Sequence, residues 1–428
     1  MNLAVISVSA LAIAILVSCF TTLNVGVLSI AMAWIIGVYI GGMRVNDVIA
    51  GFPTPLFVTL VGVTLLFTLA QCNGTLDKLA HHAVRACRGN RGVVPFMFFV
   101  LAATLASMGP GNIATAALIA PMAMTTASRY GIPPFLMAIM VGNGSNAGAL
   151  SPFAPTGIIV SGLMTRIGMP GHELRTYFSL VLAHAAVAFA GYFIFGGFKL
   201  FSGTADAGAA AAAAGGSGEG TFETRHWLTL AVIGTLIFSV LWGPIALRIG
   251  LERWAFDVNV GMGAFLGAVI LVLTGSADDQ DAIKRMPWKV IVMVCGVTVL
   301  IAILEKAQGI DLLVSLISRI STQKTVTGVV AFITGAISVY SSTSGVVLPA
   351  FLPMVPGLAQ SLGGADPLAI ANSMNIGGHL VDVSPLSTIG ALCVAGAPAD
   401  ESRPLFIKLL AWGLSMCVVG AVLCYLVF

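Results

Sequence analysis

The sequence predicts an all-α integral membrane protein with about 10 transmembrane helices plus two re-entrant hairpins, arranged as two inverted-topology repeats that contain broken helices. Of its 428 residues, 58% are hydrophobic and 9% are charged, whereas about a quarter of the residues in a soluble domain are charged. The charges fall in clusters between long uncharged runs, and similar motifs recur in both halves. These observations exclude a water-soluble fold and a basic face for nucleic acid.

The first uncharged runs divide into spans of about 20 residues, the length that crosses the hydrocarbon core. Leu3–Met43 predicts two spans joined by a turn near Asn24, and Phe57–Gln71 predicts the centre of a third. Charged residues then alternate with apolar ones at helical spacing over residues 77–91, which predicts an interfacial helix. Residues 92–128 predict a hairpin, because Gly109-Pro110-Gly111-Asn112 interrupts this run at its middle.

A broken helix and a closing span complete the first repeat, which we place at residues 1–201. The run Pro134–Met164 is too long for one ordinary span, and GNGSNAGALSP at Gly142–Pro152 interrupts it. Tyr177–Phe198 predicts the closing span. Residues 202–225 are rich in Ala, Gly and Ser, so they predict a linker that buries no core.

The second repeat, residues 226–428, follows the same order. Three spans, a second interfacial stretch over residues 305–324, a hairpin over residues 325–356, a broken helix and a last span are predicted. The tip of this hairpin is Ser341–Gly345 and the second break is NIGGHLVDVSP at Asn375–Pro385. The spans are His226–Leu247, Val258–Thr274, Val290–Leu304 and Leu405–Phe428.

Local motifs correspond between the halves at a nearly constant separation. VGVTLL at Val61 is similar to CGVTVL at Cys295, 234 residues later. Three pairs of residues lie 232 positions apart: Asn112 and Ser344, Pro121 and Pro353, Asn143 and Asn375. A Ser-Pro sequence recurs after 233 positions, at Ser151 and Ser384. Matches in the same order indicate an internal repeat. Each half contains five spans and one hairpin, and this odd number of crossings inverts the second repeat relative to the first.

The hairpin tips and helix breaks are the candidate binding regions, because irregular backbone at membrane depth occurs where it is buried in protein or lines a cavity. We expect Asn112 and Ser344 to be N-caps of half-helices, whose free N–H groups suit a small dianion. Unwound carbonyls near Asn143-Gly144 and Asn375-Gly377 suit a hard cation such as sodium. The alternative role for the glycines is close helix packing.

His379 and Asp382 are predicted to be the sole ionisable residues in the mid-membrane segments, spaced so that they share a helix face. Ionisable groups at this depth are candidates for function. Asp382 is a candidate cation ligand or proton carrier, while His379 either binds a substrate carboxylate or only pairs with Asp382. A purely structural ion pair is the alternative.

The order of span, interfacial helix, hairpin and broken helix, repeated twice, resembles the ion transporter superfamily, which includes the divalent anion:sodium symporters. The sequence is more closely similar to bacterial dicarboxylate carriers of the MatC (malonate carrier) type. The stretches that carry this similarity are SMGPGNIATAALIAPM (Ser107–Met122), GNGSNAGALSPFAPTG (Gly142–Gly157) and NIGGHLVDVSPLSTIG (Asn375–Gly390). The resemblance implies elevator-type transport of a small dicarboxylate, cation coupling and a homodimer.

The resemblance also implies which hairpin residues bind substrate. The symporters carry Ser-Asn-Thr at each hairpin tip, where it binds substrate carboxylates and helps to bind sodium. The matching positions here are Gly111-Asn112-Ile113 and Thr343-Ser344-Gly345. The first motif retains only Asn112 at its place, and hydroxyl ligands are missing at Ile113 and Gly345. This departure makes proton coupling a competitor of sodium coupling.

The resulting hypothesis is cation-coupled uptake of malonate, succinate or malate across a bacterial inner membrane, without an organic cofactor and with Na+ or H+ as the coupling ion. The expected substrate-binding residues are Gly111, Asn112, Ile113, Thr343, Ser344, Gly345, Ser151, Ser384 and His379. The expected cation-binding or coupling residues are Asn143, Gly144, Ser145, Asn146, Asn375, Gly377 and Asp382. The alternatives are a sodium/proton antiporter or oxyanion efflux protein of the same superfamily, and an intramembrane enzyme that uses His379 and Asp382.

Overall fold

The computed structural model describes residues 2–428 except 22, 87–90, 203–220, 249–250 and 252–257. Every regular element in these described ranges is helical, which confirms the predicted all-α class. Seven helical stretches are long and apolar enough to cross a membrane: Thr54–Cys72, Glu173–Ile194, Thr224–Trp242, Trp288–Lys306, Thr343–Ser361, Pro367–Gly396 and Ala399–Val427. Shorter apolar helices accompany them.

The first half follows the predicted order of spans. It contains α1 (Leu3–Phe20), α2 (Val25–Trp34) with a π-helical continuation (Ile35–Ile40), α3 (Val45–Ile49), α4 (Thr54–Cys72), the interfacial helix α5 (Thr75–Ala86), α6 (Val94–Met108), α7 (Gly111–Tyr130), α8 (Pro134–Ala147), α9 (Pro155–Arg166) and α10 (Glu173–Ile194). Asn24 caps α2 by accepting a hydrogen bond from Gly26 N (2.9 Å), so the polar turn between the first two spans starts the second helix.

The second half begins after the predicted linker, most of which (203–220) lies outside the described residues. It contains α11 (Thr224–Arg248), α12 (Val260–Leu273), α13 (Asp279–Arg285), α14 (Trp288–Lys306), the interfacial helix α15 (Gly309–Arg319), α16 (Val326–Ser338), α17 (Leu348–Phe351), α18 (Val355–Ser361), α19 (Pro367–Leu380), α20 (Thr388–Gly396) and α21 (Ala399–Val427). The repeat boundaries and the linker at 202–225 stay a prediction.

Both predicted hairpins are present as a helix, an interruption and a second helix. α6 ends at Met108 and α7 begins at Gly111, and Gly109 (φ +137°) and Gly111 (φ +79°) adopt backbone conformations that other residues rarely reach. The second arm of the other hairpin runs from Thr343 through α17 and α18 to Ser361, so the predicted end at residue 356 is wrong. The helix continues because Pro356 lies in the first turn of α18, where its missing N–H has no helical partner to lose.

The helices pack as two bodies. The hairpin body contains α6, α7, α8 and α10 of the first half and α16, α19, α20 and α21 of the second, which pack on one another. The scaffold body contains α1, α2, α4, α11, α12 and α14. The second hairpin arm packs on α14, and α9 packs on α4, so these two elements connect the bodies.

Candidate functional site

The broken helices begin with two equivalent segments. α8 and α19 each have 14 residues and begin with proline, 233 residues apart. Gly144 and Gly377 occupy the same position in them, and a Cβ at either would lie 2.5 Å from the Phe99 carbonyl oxygen of α6 or 2.2 Å from the Ala331 carbonyl oxygen of α16. The two glycines therefore permit close packing of each broken helix on the first arm of its hairpin.

The expectation of unwound carbonyls at Asn143-Gly144 and Asn375-Gly377 is wrong, because these residues lie inside regular helix. The Asn143 amide donates to the Ile139 carbonyl one turn earlier (2.8 Å), and the Asn375 amide donates to the Ala371 carbonyl (3.0 Å). These glycine-containing turns stay helical where they pack on the hairpins. The chain unwinds later, from Gly148 in the first broken helix and beyond Val383 in the second.

Ser151 and Ser384 lie in the breaks themselves and stabilise equivalent turns. Each side-chain oxygen accepts a hydrogen bond from the backbone two residues later, at Phe153 N and Leu386 N (3.3 Å each). The Ser151 hydroxyl also donates to the Ser107 carbonyl at the end of α6 (2.6 Å). The two serines predicted to bind substrate thus have backbone partners that shape the breaks.

Asn112 lies at the first hairpin tip but is not the N-cap. Pro110 occupies the cap position of α7 without a side-chain hydrogen bond, and Asn112 is the second helical residue. Its amide instead donates to Asn146 Oδ1 of α8 (2.9 Å). Asn112 cannot cap α7 because the helix already begins one residue earlier, at Gly111, which has a positive φ. Ile113 is 43% exposed, whereas the contact between Asn112 and Asn146 is buried.

The second hairpin tip is capped by Ser342 rather than by the predicted Ser344. Ser342 Oγ accepts from Gly345 N (3.1 Å), which leaves Ser344 within the first helical turn. The neighbouring Thr343 hydroxyl lies 2.9 Å from Asp382 Oδ1 and 3.3 Å from the Gly378 carbonyl. Thr343 therefore joins the second tip to the second broken helix.

Asn146 connects the two repeats. Its Nδ2 donates to the His379 carbonyl (3.4 Å), and its Oδ1 is the acceptor for Asn112. Asn146 and His379 are separated by 233 residues, the same separation as the two broken helices. The contact Asn112–Asn146–His379 thus brings the first hairpin tip and both broken helices together in the buried interior.

His379 does not pair with Asp382 in the described part of the chain. Its Nδ1 donates to the Asn375 carbonyl one turn earlier (2.8 Å), and its Nε2 is buried without a hydrogen-bond partner. α19 ends at Leu380 and Asp382 lies in the 3₁₀ turn that follows, so the expected shared helix face is lost. Asp382 instead accepts from Thr343.

His184 of α10 is a buried residue that the sequence reasoning missed. Its Nδ1 lies 2.8 Å from Asn143 Oδ1, and its Nε2 is buried without a partner. Because the Asn143 amide nitrogen donates elsewhere, its oxygen accepts and His184 Nδ1 carries the proton. The statement that His379 and Asp382 are the sole ionisable mid-membrane residues is therefore wrong. The sequence feature that could have identified His184 is that it is the single histidine inside the apolar run Tyr177–Phe198.

The interior that these residues surround is rich in hydrogen-bond acceptors. Ser145 Oγ and Asn375 Oδ1 are buried and have no partner among the described residues, as is also true of the two histidine Nε2 atoms. Oxygen ligands of this kind suit a hard cation. Within the described ranges, His, Cys, Asp and Glu form no group of three or more that suits a bound metal ion.

Two hairpins and two broken helices around a buried polar interior define a multi-pass membrane transporter. Residues 1–149 match the family model for the N-terminus of the dicarboxylate carrier protein MatC, and residues 249–428 match the family model for citrate transporters. The resemblance to MatC-type carriers is confirmed. The chain is a membrane transporter of the dicarboxylate and citrate type, and the matched families are transporters rather than enzymes.

Curated relatives and a solved structure are similar to this chain over most of its length. Two curated relatives from Mycobacterium tuberculosis, the uncharacterized transporters MT2759 (strain CDC 1551) and Rv2685 (strain H37Rv), are each 22% identical over 360 residues, which is 81% of this chain and 79% of theirs. The crystal structure of the Alcanivorax borkumensis YdaH transporter has a TM-score of 0.60 at 14% identity and covers 91% of this chain and 87% of its own. That likeness shows the fold.

Proposed function

We propose that this protein takes up a small dicarboxylate, such as malonate, succinate or malate, across a bacterial inner membrane, in a cation-coupled elevator-type cycle carried out by a homodimer. The observation that carries the proposal is the contact Asn112–Asn146–His379, which joins a hairpin tip to both broken helices. A substrate bound there touches elements of both repeats, so its binding is linked to their arrangement.

The hairpin tips supply the groups that suit a dianion. The helices that begin at Gly111 and Thr343 present backbone N–H groups and a partial positive charge. The carboxamide of Asn112 and the hydroxyl of Ser344 lie in those first turns, where each is within one turn of a helix N-terminus. We assign the coupling cation to oxygens of the second broken helix, namely Asn375 Oδ1 and the Asp382 carboxyl group. The experiment below tests both Na+ and H+ as this cation.

The test is uptake of labelled malonate, succinate, malate and citrate by purified protein in liposomes, with an imposed sodium gradient and then with a proton gradient alone. We expect uptake of at least one dicarboxylate under one of these gradients. Sodium/proton exchange or arsenite efflux without carboxylate uptake, in folded protein, would contradict the proposal and support the corresponding alternative of the same superfamily.

Removing both hairpin side chains tests the site. We expect Asn112→Ala with Ser344→Ala to lower uptake by about tenfold or more, since each substitution removes a polar group worth about 1 kcal/mol from the substrate site. Ser9→Ala is the control, because the exposed Ser9 hydroxyl bonds only within α1 (2.8 Å to the Val5 carbonyl). Unchanged uptake in the double variant would remove these residues from the site.

A further inference from the structure

A cavity of about 880 Å³ separates the two bodies on one side of the molecule. Its scaffold wall includes Thr59 of α4 and Asn259 at the start of α12, and its opposite wall includes Pro152 and Ser161. Pro152 directly follows Ser151, whose hydroxyl bonds the Ser107 carbonyl close to the first hairpin tip. The cavity therefore extends from the first helix break to the far end of α9.

Arg166 lies at that far end. It is the last residue of α9 and lines the cavity, about 16 Å along the helix from Pro155. Its Nη2 contacts Glu305 Oε2 of α14 at 2.6 Å, and the two side chains are 31% and 36% exposed. The contact uses one of the five N–H donors of a guanidinium, so others remain for a second acceptor. Arg166 is thus a partly hydrated cation already bound to a carboxylate.

Two other charged residues, one on the cavity wall and one beside Glu305, have partners of their own. Glu173, which also lines the cavity, accepts a hydrogen bond from Gly171 N (3.2 Å). Lys306, the neighbour of Glu305, donates to the Asp47 carbonyl (2.8 Å). Glu305 is therefore the carboxylate that competes with an incoming anion for Arg166, and the donors that Glu305 leaves unused allow an incoming carboxylate to bind before Glu305 leaves.

We propose that Arg166 is an outer carboxylate-binding site, which Glu305 occupies in this structure and a substrate carboxylate takes over before it moves along the cavity toward the first helix break. The inference rests on the proposed function, because it concerns how the same substrate reaches that site. It assigns opposite roles to the two partners: Arg166 attracts the substrate, whereas Glu305 competes with it.

Uptake kinetics separate this role from a purely structural ion pair. Arg166→Gln is expected to raise KM by about tenfold, the loss of one charge-assisted hydrogen bond, with a smaller change in the maximal rate. Glu305→Gln is expected to lower KM. The matched controls are Arg285→Gln and Asp281→Asn, which break an exposed pair of similar length (2.9 Å) within α13. A change of KM in the same direction in both Arg166→Gln and Glu305→Gln overturns the proposal.

A second measurement does not require transport. Ser161→Cys places a thiol in the cavity about 8 Å along α9 from Arg166. The rates at which this thiol reacts with two methanethiosulfonate reagents, one an anionic sulfonate and one a cationic trimethylammonium compound, are compared. The chain without this added cysteine gives the background rates. Adding Arg166→Gln is expected to lower the anion-to-cation rate ratio by about fivefold, and adding Glu305→Gln to raise it. A ratio that does not change overturns the outer site. The expected ratios without any carboxylate uptake support the outer site and contradict only the proposed function.

Discussion

Asn146 is the residue on which the contact between the repeats depends. Asn146→Ala removes the acceptor for the Asn112 amide and the donor to the His379 carbonyl. A buried polar group left without its partner costs about 1–3 kcal/mol. We expect uptake to fall by about tenfold or more, measured in the same liposomes, while the protein still elutes as a single folded species from a sizing column.

The control for Asn146 is an asparagine with a purely local role. Asn2 is exposed and its side chain caps α1 by accepting from Ala4 N (3.1 Å), so Asn2→Ala is expected to leave uptake unchanged. Equal uptake by the two variants would show that the Asn146 contacts do not contribute to transport.

His184 provides a prediction about stability. Its Nδ1 proton satisfies Asn143 Oδ1 inside the hairpin body. His184→Asn presents an amide N–H near the same place, whereas His184→Leu leaves the buried oxygen unpaired. We expect the leucine variant to be less stable by about 1–3 kcal/mol and the asparagine variant to recover part of that loss. Chemical denaturation in detergent gives the comparison, and a leucine variant as stable as the asparagine variant would contradict it.

Residue-level roles were less predictable than the positions of polar residues. The sequence located the polar clusters at Asn112, Asn146 and His379, because side chains of this kind are rare in apolar runs. It did not show that Asn112 reaches Asn146, since that contact joins residues 34 positions apart. The His379–Asp382 pairing was wrong because a spacing of three predicts contact only while the helix continues.

At the scale of elements, each broken helix needs a glycine where it packs closely on the first arm of its hairpin. A Cβ at residue 144 or 377 meets a backbone carbonyl oxygen of the opposing helix at 2.5 Å or 2.2 Å. Backbone cannot yield as a flexible side chain can, so Gly144→Ala and Gly377→Ala must separate the helices. We expect both to lower the apparent Tm in detergent, and to similar extents because the two packing arrangements are equivalent.

Gly234→Ala is the matched control for these glycines. Gly234 lies within α11, and no heavy atom lies within 4 Å of its added Cβ. Because alanine favours helix over glycine by about 1 kcal/mol, this variant is expected to keep or raise the Tm. A loss of stability at Gly234 equal to that at Gly144 would show that helical glycine itself, rather than close packing, explains the effect.

The observed ends of the helices show which sequence motifs were sufficient to locate an interruption. Gly109-Pro110-Gly111 marked the first hairpin tip, where α6 ends at Met108 and α7 begins at Gly111, because glycine and proline interrupt a helix. GNGSNAGALSP marked the right segment but not the start of the break, since glycine also occurs in helices where another backbone approaches. The distinction depends on α6 and α16, which lie elsewhere in the chain.

At the scale of the whole molecule, contacts between the two bodies decide whether they move relative to each other. The interfacial helix α15 packs on α1 of the scaffold, and it also packs on the second arm of the hairpin. Ser318 of α15 and Ser361 at the end of that arm place their hydroxyl oxygens 2.7 Å apart near the surface. An elevator movement that carries this arm along with the hairpin body requires contacts of this kind to separate.

A disulfide at this contact tests the movement directly. Hydroxyl oxygens at 2.7 Å place the two Cβ atoms near the separation that a disulfide spans, so Ser318→Cys with Ser361→Cys is expected to crosslink on oxidation. We expect uptake to stop in the oxidised protein and to return after reduction. The control is Thr322→Cys with Thr325→Cys, whose hydroxyl oxygens lie 3.1 Å apart within one turn, so its crosslink restrains no movement between bodies. The crosslink in the oxidised Ser318–Ser361 variant is verified by mass spectrometry. If this crosslinked protein transports as fast as it does after chemical reduction, the hairpin arm stays fixed on α15 during the cycle, and an elevator movement of this arm is contradicted.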